Sequence, residues 1–175
     1  AVIADATLRT EHEVEIGQLT PETTYYYAVV SGGTVLAGDA SHFFATPPPA
    51  GAARPTRVWV IGDSGTANGD AANVRNAYLG YAGGAPTDVW LMLGDNAYSD
   101  GTQEEYQAAV FDMYPALLRN TFLWPTLGNH DSHSADSATE SGVYYDIFTL
   151  PRMGEAGGLI SGTEAYYSFD HGNIH

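Results

Sequence analysis

The chain of 175 residues carries 21 acidic and 6 basic residues, a formal net charge of −15; such a surface repels nucleic-acid backbones and anionic lipid and argues against either as a partner. It contains no cysteine, which excludes disulfides and thiolate metal ligands. Hydrophobic residues reach 44%, enough for a globular core, and no apolar run of about 18 residues is present to span a membrane.

Residues 1–46 read as short strands. Residues 12–16 alternate, with Val14 and Ile16 on one face, and a second strand follows the turn at Pro21 through Tyr25, Tyr26 and Tyr27 to Val30. Ser31-Gly32-Gly33 is a turn and residues 41–46 a last short strand. Residues 47–56, PPPAGAARPT, read as a proline-stiffened linker. From residue 57 the rhythm becomes strand, helix, strand. Residues 67–81 are alanine-rich and helical, ending at Gly83-Gly84. Thr102-Gln103-Glu104-Glu105 matches a capping box that opens a helix towards Leu118, which Pro115 kinks or ends. A polar loop covers residues 129–141, and residues 144–150 and 165–169 look like further strands around a glycine-rich loop at 154–162.

Three segments share one design. Residues 57–65 (RVWVIGDSG), 88–98 (DVWLMLGDNAY) and 122–131 (FLWPTLGNHD) are apolar runs that end in glycine followed by polar residues. An unbroken apolar run suits a strand buried on both faces, and the glycine lets the next residue leave the strand. Carboxyl ends of neighbouring parallel strands lie together, so Asp63, Asp95 and Asn129 can converge as oxygen ligands. Tyr98 can bring a phenolate to the same place, which favours a hard trivalent ion such as Fe(III). His130 is placed to act as general acid or anion clamp, with Asp131 holding its imidazole. His133 reads as a solvated loop histidine, with substrate contact the alternative; His12, His42 and His171 read as structural.

GDSG, GDNAY and GNHD, in this order, resemble the first three motifs of the calcineurin-like metallophosphoesterases. The tyrosine of GDNAY, behind a piece similar to the end of a fibronectin type III sandwich, resembles the purple acid phosphatases in particular. In that piece the pattern L-x-P-x-T-x-Y puts Tyr25 where a corner tyrosine hydrogen-bonds back to the chain. The resemblance implies a layered α/β metallophosphoesterase sandwich over residues 57–175, incomplete, preceded by a partial all-β fibronectin III-like domain over residues 1–46. It implies hydrolysis of phosphate monoesters, small molecules, by a secreted or periplasmic enzyme. Asp63 and Tyr98 would bind Fe(III), Asp95 would bridge both ions, and Asn129 would bind a second divalent metal (Fe, Zn or Mn). His130 would contact the phosphate or the leaving group.

The family pattern continues with a strand-end histidine and a G-H-x-H motif, and nothing after His130 matches either. His175 falls where the family often has a strand-start histidine that is not a ligand. The expectation is therefore that residues 1–175 alone are inactive, bind metal weakly and leave Trp90, Trp124 and Ile147 poorly buried. The rival readings are a phosphodiesterase or nucleotidase of the same superfamily and a non-catalytic extracellular binding module. The sequence leaves the oligomeric state open.

Overall fold

A computed structural model of the chain describes residues 2–175. Its centre is a parallel sheet of three strands, β5 (Val58–Ile61), β6 (Val89–Leu93) and β7 (Phe122–Thr126), in the order β5-β6-β7. The short amino-terminal strands β1 (Thr24–Tyr26), β2 (Val29–Ser31), β3 (Thr34–Ala37) and β4 (Phe43–Ala45) precede it. Strand β6, the most apolar, takes the middle, and its Trp90 and Met92 are fully buried. The register sets Trp59 beside Trp90 and Leu123, and Ile61 beside Met92 and Pro125, so one face collects these side chains. Pro125 lacks the N–H of a ladder and is tolerated because β7 is an edge strand.

Helix α1 (Gly69–Ala82) links β5 to β6. It starts because the Asn68 side chain accepts the N–H groups of Asp70 and Ala71, and it stops because Gly83 turns left-handed at φ 60°. Its Tyr78 stacks on Trp59 with ring centroids 4.1 Å apart, and the stack continues through Trp90 to Tyr114. Each large aromatic buried here contributes on the order of 1.5–3 kcal/mol.

The capping box forms as the sequence implies, but the helix it opens is short. Helix α2 (Gln103–Tyr106) passes into a π-helical turn, Gln107–Phe111, and Pro115 then opens α3 (Pro115–Leu118) rather than ending a longer helix. Proline suits a first helical position, where its missing N–H has no partner to lose. The loop after β7 holds a 3-10 turn, Asp131–His133, and a small antiparallel pair, β8 (Ala135–Asp136) with β9 (Ser141–Gly142).

The expected strand at 144–150 is instead a helix, α4 (Val143–Ile147). Its β-prone residues are overridden by packing: Tyr144 is buried, and its hydroxyl donates to the Pro125 carbonyl at 3.1 Å. Residues 165–169 also form no strand; Tyr167 donates to the same carbonyl at 2.6 Å, and Phe169 stacks on Trp124 at 4.0 Å. These contacts correct the expectation of exposed tryptophans, since Trp90 is 0% exposed and Trp124 is covered. Residues 12–16 form no strand either, and their apolar members Val14 and Ile16 face solvent, so nothing rewards their alternation.

In the amino-terminal region β1 pairs with β4 and β2 with β3, both antiparallel. The Thr20 N–H donates to the Tyr25 hydroxyl at 2.8 Å across the turn. The region rests on the parallel sheet through Phe44 against Phe122 and through the Tyr27 hydroxyl, which donates to the Arg119 carbonyl at 2.9 Å. The proline-rich segment is tied down at Gly51, whose N–H donates to the Gly172 carbonyl at 2.8 Å. No helix of the described residues is long and apolar enough to cross a membrane.

Candidate metal centre

The loops that leave β5, β6 and β7 stay joined beyond the sheet. Asp63 N–H donates to the Gly94 carbonyl, Gly65 N–H to the Asp95 carbonyl, and Tyr98 N–H to the Gly65 carbonyl, at 3.0–3.2 Å. Two glycines make this approach feasible. A Cβ on Gly65 would stand 2.4 Å from the Ala97 nitrogen, and one on Gly128 would stand 2.1 Å from the Asp95 nitrogen. Any side chain at either place would push the loops apart.

Asp63 and Asp95 both adopt positive φ, 53° and 52°. That region costs most L-residues roughly 1–2 kcal/mol, although aspartate visits it more readily than most. The two residues occupy corresponding places after their strands. The Tyr98 hydroxyl lies 2.7 Å from Oδ1 of Asp63 and 3.0 Å from Oδ2 of Asp95, and donates to them. Oδ1 of Asp95 accepts the His130 N–H at 3.0 Å. Burial raises the Asp95 pKa, but the His130 N–H and the Tyr98 hydroxyl outweigh it and hold the carboxyl below its ordinary 3.8. Burial and the two carboxylates push the Tyr98 phenol up instead. Asp63 is exposed, so the trio opens to solvent.

Asp131 stands apart from this. It was expected to orient His130, yet the His130 Nδ1 lies 2.8 Å from the Ser99 carbonyl. The Asp131 carboxylate, 0% exposed, faces the other way. It accepts the Asn96 N–H at 3.1 Å, the Asn96 side-chain amide at 3.1 Å, the Tyr106 hydroxyl at 2.6 Å and the Gly128 N–H at 2.8 Å. The Asn96 amide also donates to the Thr126 carbonyl at 2.8 Å. One carboxylate thus ties the β6 loop, the β7 loop and α2 together. The reason is geometric: the 3-10 turn Asp131–His133 sends consecutive side chains in different directions, so Asp131 goes inward while His130 stays at the surface.

Asn129 lies exposed beside Gly128, and its carbonyl accepts the Ser132 hydroxyl at 2.7 Å. Asn96, Tyr106 and Glu105 were not singled out for the site by sequence. Asn96 carried a signal, its place inside GDNAY between the ligand candidates, whereas Tyr106 carried none. Glu105 was legible only as a cap, but its carboxylate also accepts the N–H groups of Ser99 at 2.6 Å and Asp100 at 3.0 Å.

The donor set suits a hard cation. Two carboxylates and a phenol converge within hydrogen-bonding distance, all oxygen, on the solvent side of the strand ends. Among the described residues no group of three or more histidine, cysteine, aspartate or glutamate side chains is arranged to hold a metal ion. The fit therefore depends on Tyr98 as the third donor. His175, Nδ1 2.7 Å from Asp170, and the buried His171 lie in the carboxyl-terminal turn and make no hydrogen bond to Asp63, Asp95 or Tyr98.

A comparison with curated proteins gives no match, and a comparison with solved structures gives none. A family model described as calcineurin-like phosphoesterase matches residues 56–175. That family acts on phosphoesters and depends in general on divalent metals. The match takes in all three strand-end loops, and the chain belongs to the calcineurin-like phosphoesterases.

Proposed function

We propose that the protein hydrolyses small phosphate monoesters at a binuclear centre of the purple acid phosphatase type. In this reading Asp63 and Tyr98 would hold Fe(III), Asp95 would serve both ions, and Asn129 would hold a second divalent ion (Fe, Zn or Mn). The cations supply Lewis-acid polarisation of the phosphoryl oxygens and offset the −15 charge that otherwise repels an anionic substrate. The chain's own residues do the rest. Asp95 is held ionised by the His130 N–H and the Tyr98 hydroxyl, ready to ligate without first losing a proton. Tyr98 keeps its proton between the two carboxylates and would offer its oxygen as a donor to a cation held there. His130 donates its Nδ1–H to the Ser99 carbonyl, which leaves Nε2 as the nitrogen to carry the proton that the departing alkoxide takes up.

The observation that carries this reading is the Tyr98 hydroxyl shared by Asp63 and Asp95. The fibronectin-like reading of residues 1–46 is supported by the Thr20–Tyr25 hydrogen bond, and a secreted or periplasmic setting is proposed alongside it. A tyrosinate on Fe(III) absorbs visible light by charge transfer. Once the family's remaining histidine ligands are supplied, the iron-loaded protein should be coloured and should hydrolyse phenyl phosphate, and Tyr98→Phe should lose the colour. A colourless protein with full iron content would rule out the purple subclass and leave only the broader phosphoesterase.

A further inference from the structure

His130 and His133 share one anchor. The Nδ1 of His130 lies 2.8 Å from the Ser99 carbonyl, and the Nδ1 of His133 lies 3.2 Å from the same oxygen and 3.1 Å from Oδ1 of Asp100. Carbonyls and carboxylates only accept, so each Nδ1 carries a hydrogen and each ring presents Nε2 away from the anchor. Glu105 fixes the anchor itself by accepting the N–H groups of Ser99, Asp100 and Thr102.

The rings form a short outward series. Tyr98 and His130 have centroids 4.4 Å apart, and His130 and His133 meet edge to face at 5.5 Å. His133 thus meets the ring of His130, which in turn meets that of Tyr98. The arginines act elsewhere. Arg9, Arg54 and Arg152 pair with Asp5, Glu22 and Glu140, and Arg57, Arg75 and Arg119 donate to carbonyls of Pro86, Met113 and Pro115. Positive charge at this rim falls to imidazole. Asp100 beside the His133 Nδ1 orients the ring, and an imidazole with hydrogens on both nitrogens donates its Nε2–H to an anionic oxygen.

We propose that His133 is a specificity-determining residue that binds a second anionic group on the leaving-group side of the substrate, with Asp100 as its positioning residue. The preferred substrates are then phosphate esters whose leaving group carries its own carboxylate or phosphate. This rests on the phosphoesterase reading above: His130 serves the reacting phosphate, and His133 serves what is attached to it.

Two non-hydrolysable probes separate these roles. Methylphosphonate carries only the reacting-phosphate mimic, and phosphonoacetate adds a carboxylate next to it. Calorimetric titration of the metal-loaded protein should show His133→Ala weakening phosphonoacetate by about 10- to 100-fold, the range of one charge-assisted hydrogen bond. Methylphosphonate binding should not change. Asp100→Asn should weaken phosphonoacetate in the same selective way but less. His133 is exposed, so its truncation should leave the fold intact, and His133→Gln provides a second variant. Equal loss for both probes, or no loss for either, overturns the proposal. Turnover of phenyl phosphate is read separately. Selective loss keeps the anion site whether or not phenyl phosphate turns over, absent turnover in a protein supplied with the family's remaining histidine ligands sinks the hydrolase reading, and turnover without selective loss sinks the His133 assignment alone.

Discussion

Tyr98 and Tyr106 both donate to aspartate, 2.7 Å to Asp63 and 2.6 Å to Asp131, yet the two clusters have opposite surroundings. Tyr106 and Asp131 are wholly buried, and the carboxylate there takes four donated hydrogens from three segments. Tyr98 joins two carboxylates that reach solvent, one of them on an exposed residue. A saturated buried carboxylate has no lone pair left for a ligand and serves as a brace. A carboxylate pair held together by a single hydroxyl has spare lone pairs and mutual repulsion, which a cation relieves. The difference between brace and site is thus satisfaction and access, not residue type.

The largest expected effect comes from breaking the brace. Asp131→Ala leaves the Asn96 N–H and amide, the Tyr106 hydroxyl and the Gly128 N–H without their acceptor in a dry interior. The expected loss is about 3–5 kcal/mol of folding stability, measured by urea unfolding. A loss below about 1 kcal/mol, the scale of one ordinary hydrogen bond, would mean that Asp131 is not the brace. In the proposed centre Asp95→Asn should do the reverse, changing stability little and costing metal at both positions, since a carboxylate shared by two ions would serve both. Asp63→Asn should cost less because it serves one. His130→Ala should keep both ions while turnover falls by roughly 10²–10⁴; loss of metal in that variant would make His130 a ligand.

What the sequence disclosed follows the reach of its signals. The strand ends at Asp63, Asp95 and Asn129 were legible because apolar run, glycine and ligand candidate are consecutive. The brace was not, because Asp131 meets Tyr106 and Asn96 across 25 and 35 residues, distances over which no local pattern persists. Its neighbour His130 was an obvious but incorrect partner. The aromatic run at 143–148 has β propensity, yet Tyr144 reaches the Pro125 carbonyl only from a helix packed on the sheet, and tertiary contact decided it. The short α2 had a correct cap, while its end depended on a π-helical turn that packs Ala109 and Val110 inward.

A smaller effect concerns the anchor shared by the two imidazoles. Burial raises the Glu105 pKa, but the N–H groups of Thr102, Asp100 and Ser99 overcome it and hold the carboxyl below its ordinary 4.5. A depressed folded-state pKa contributes stability that is complete above the unfolded value and is lost as pH falls through the folded one. The Ser99 and Asp100 amide resonances should therefore stay constant above pH 4.5 and shift together below it. Glu105→Gln should remove that shift. A transition at neutral pH would point to another group.

The most direct test of the contrast is metal content, measured by plasma mass spectrometry after saturation with iron and zinc and removal of the excess, on the unmodified chain and on Asp95→Asn. Both must first show the same unfolding midpoint, so that the brace is known to be intact. The account requires the unmodified chain, though a weak binder without the family's further histidine ligands, to retain measurably more metal than Asp95→Asn. Equal retention in the two proteins, or none in either, would contradict a metal centre at Asp63, Asp95 and Tyr98.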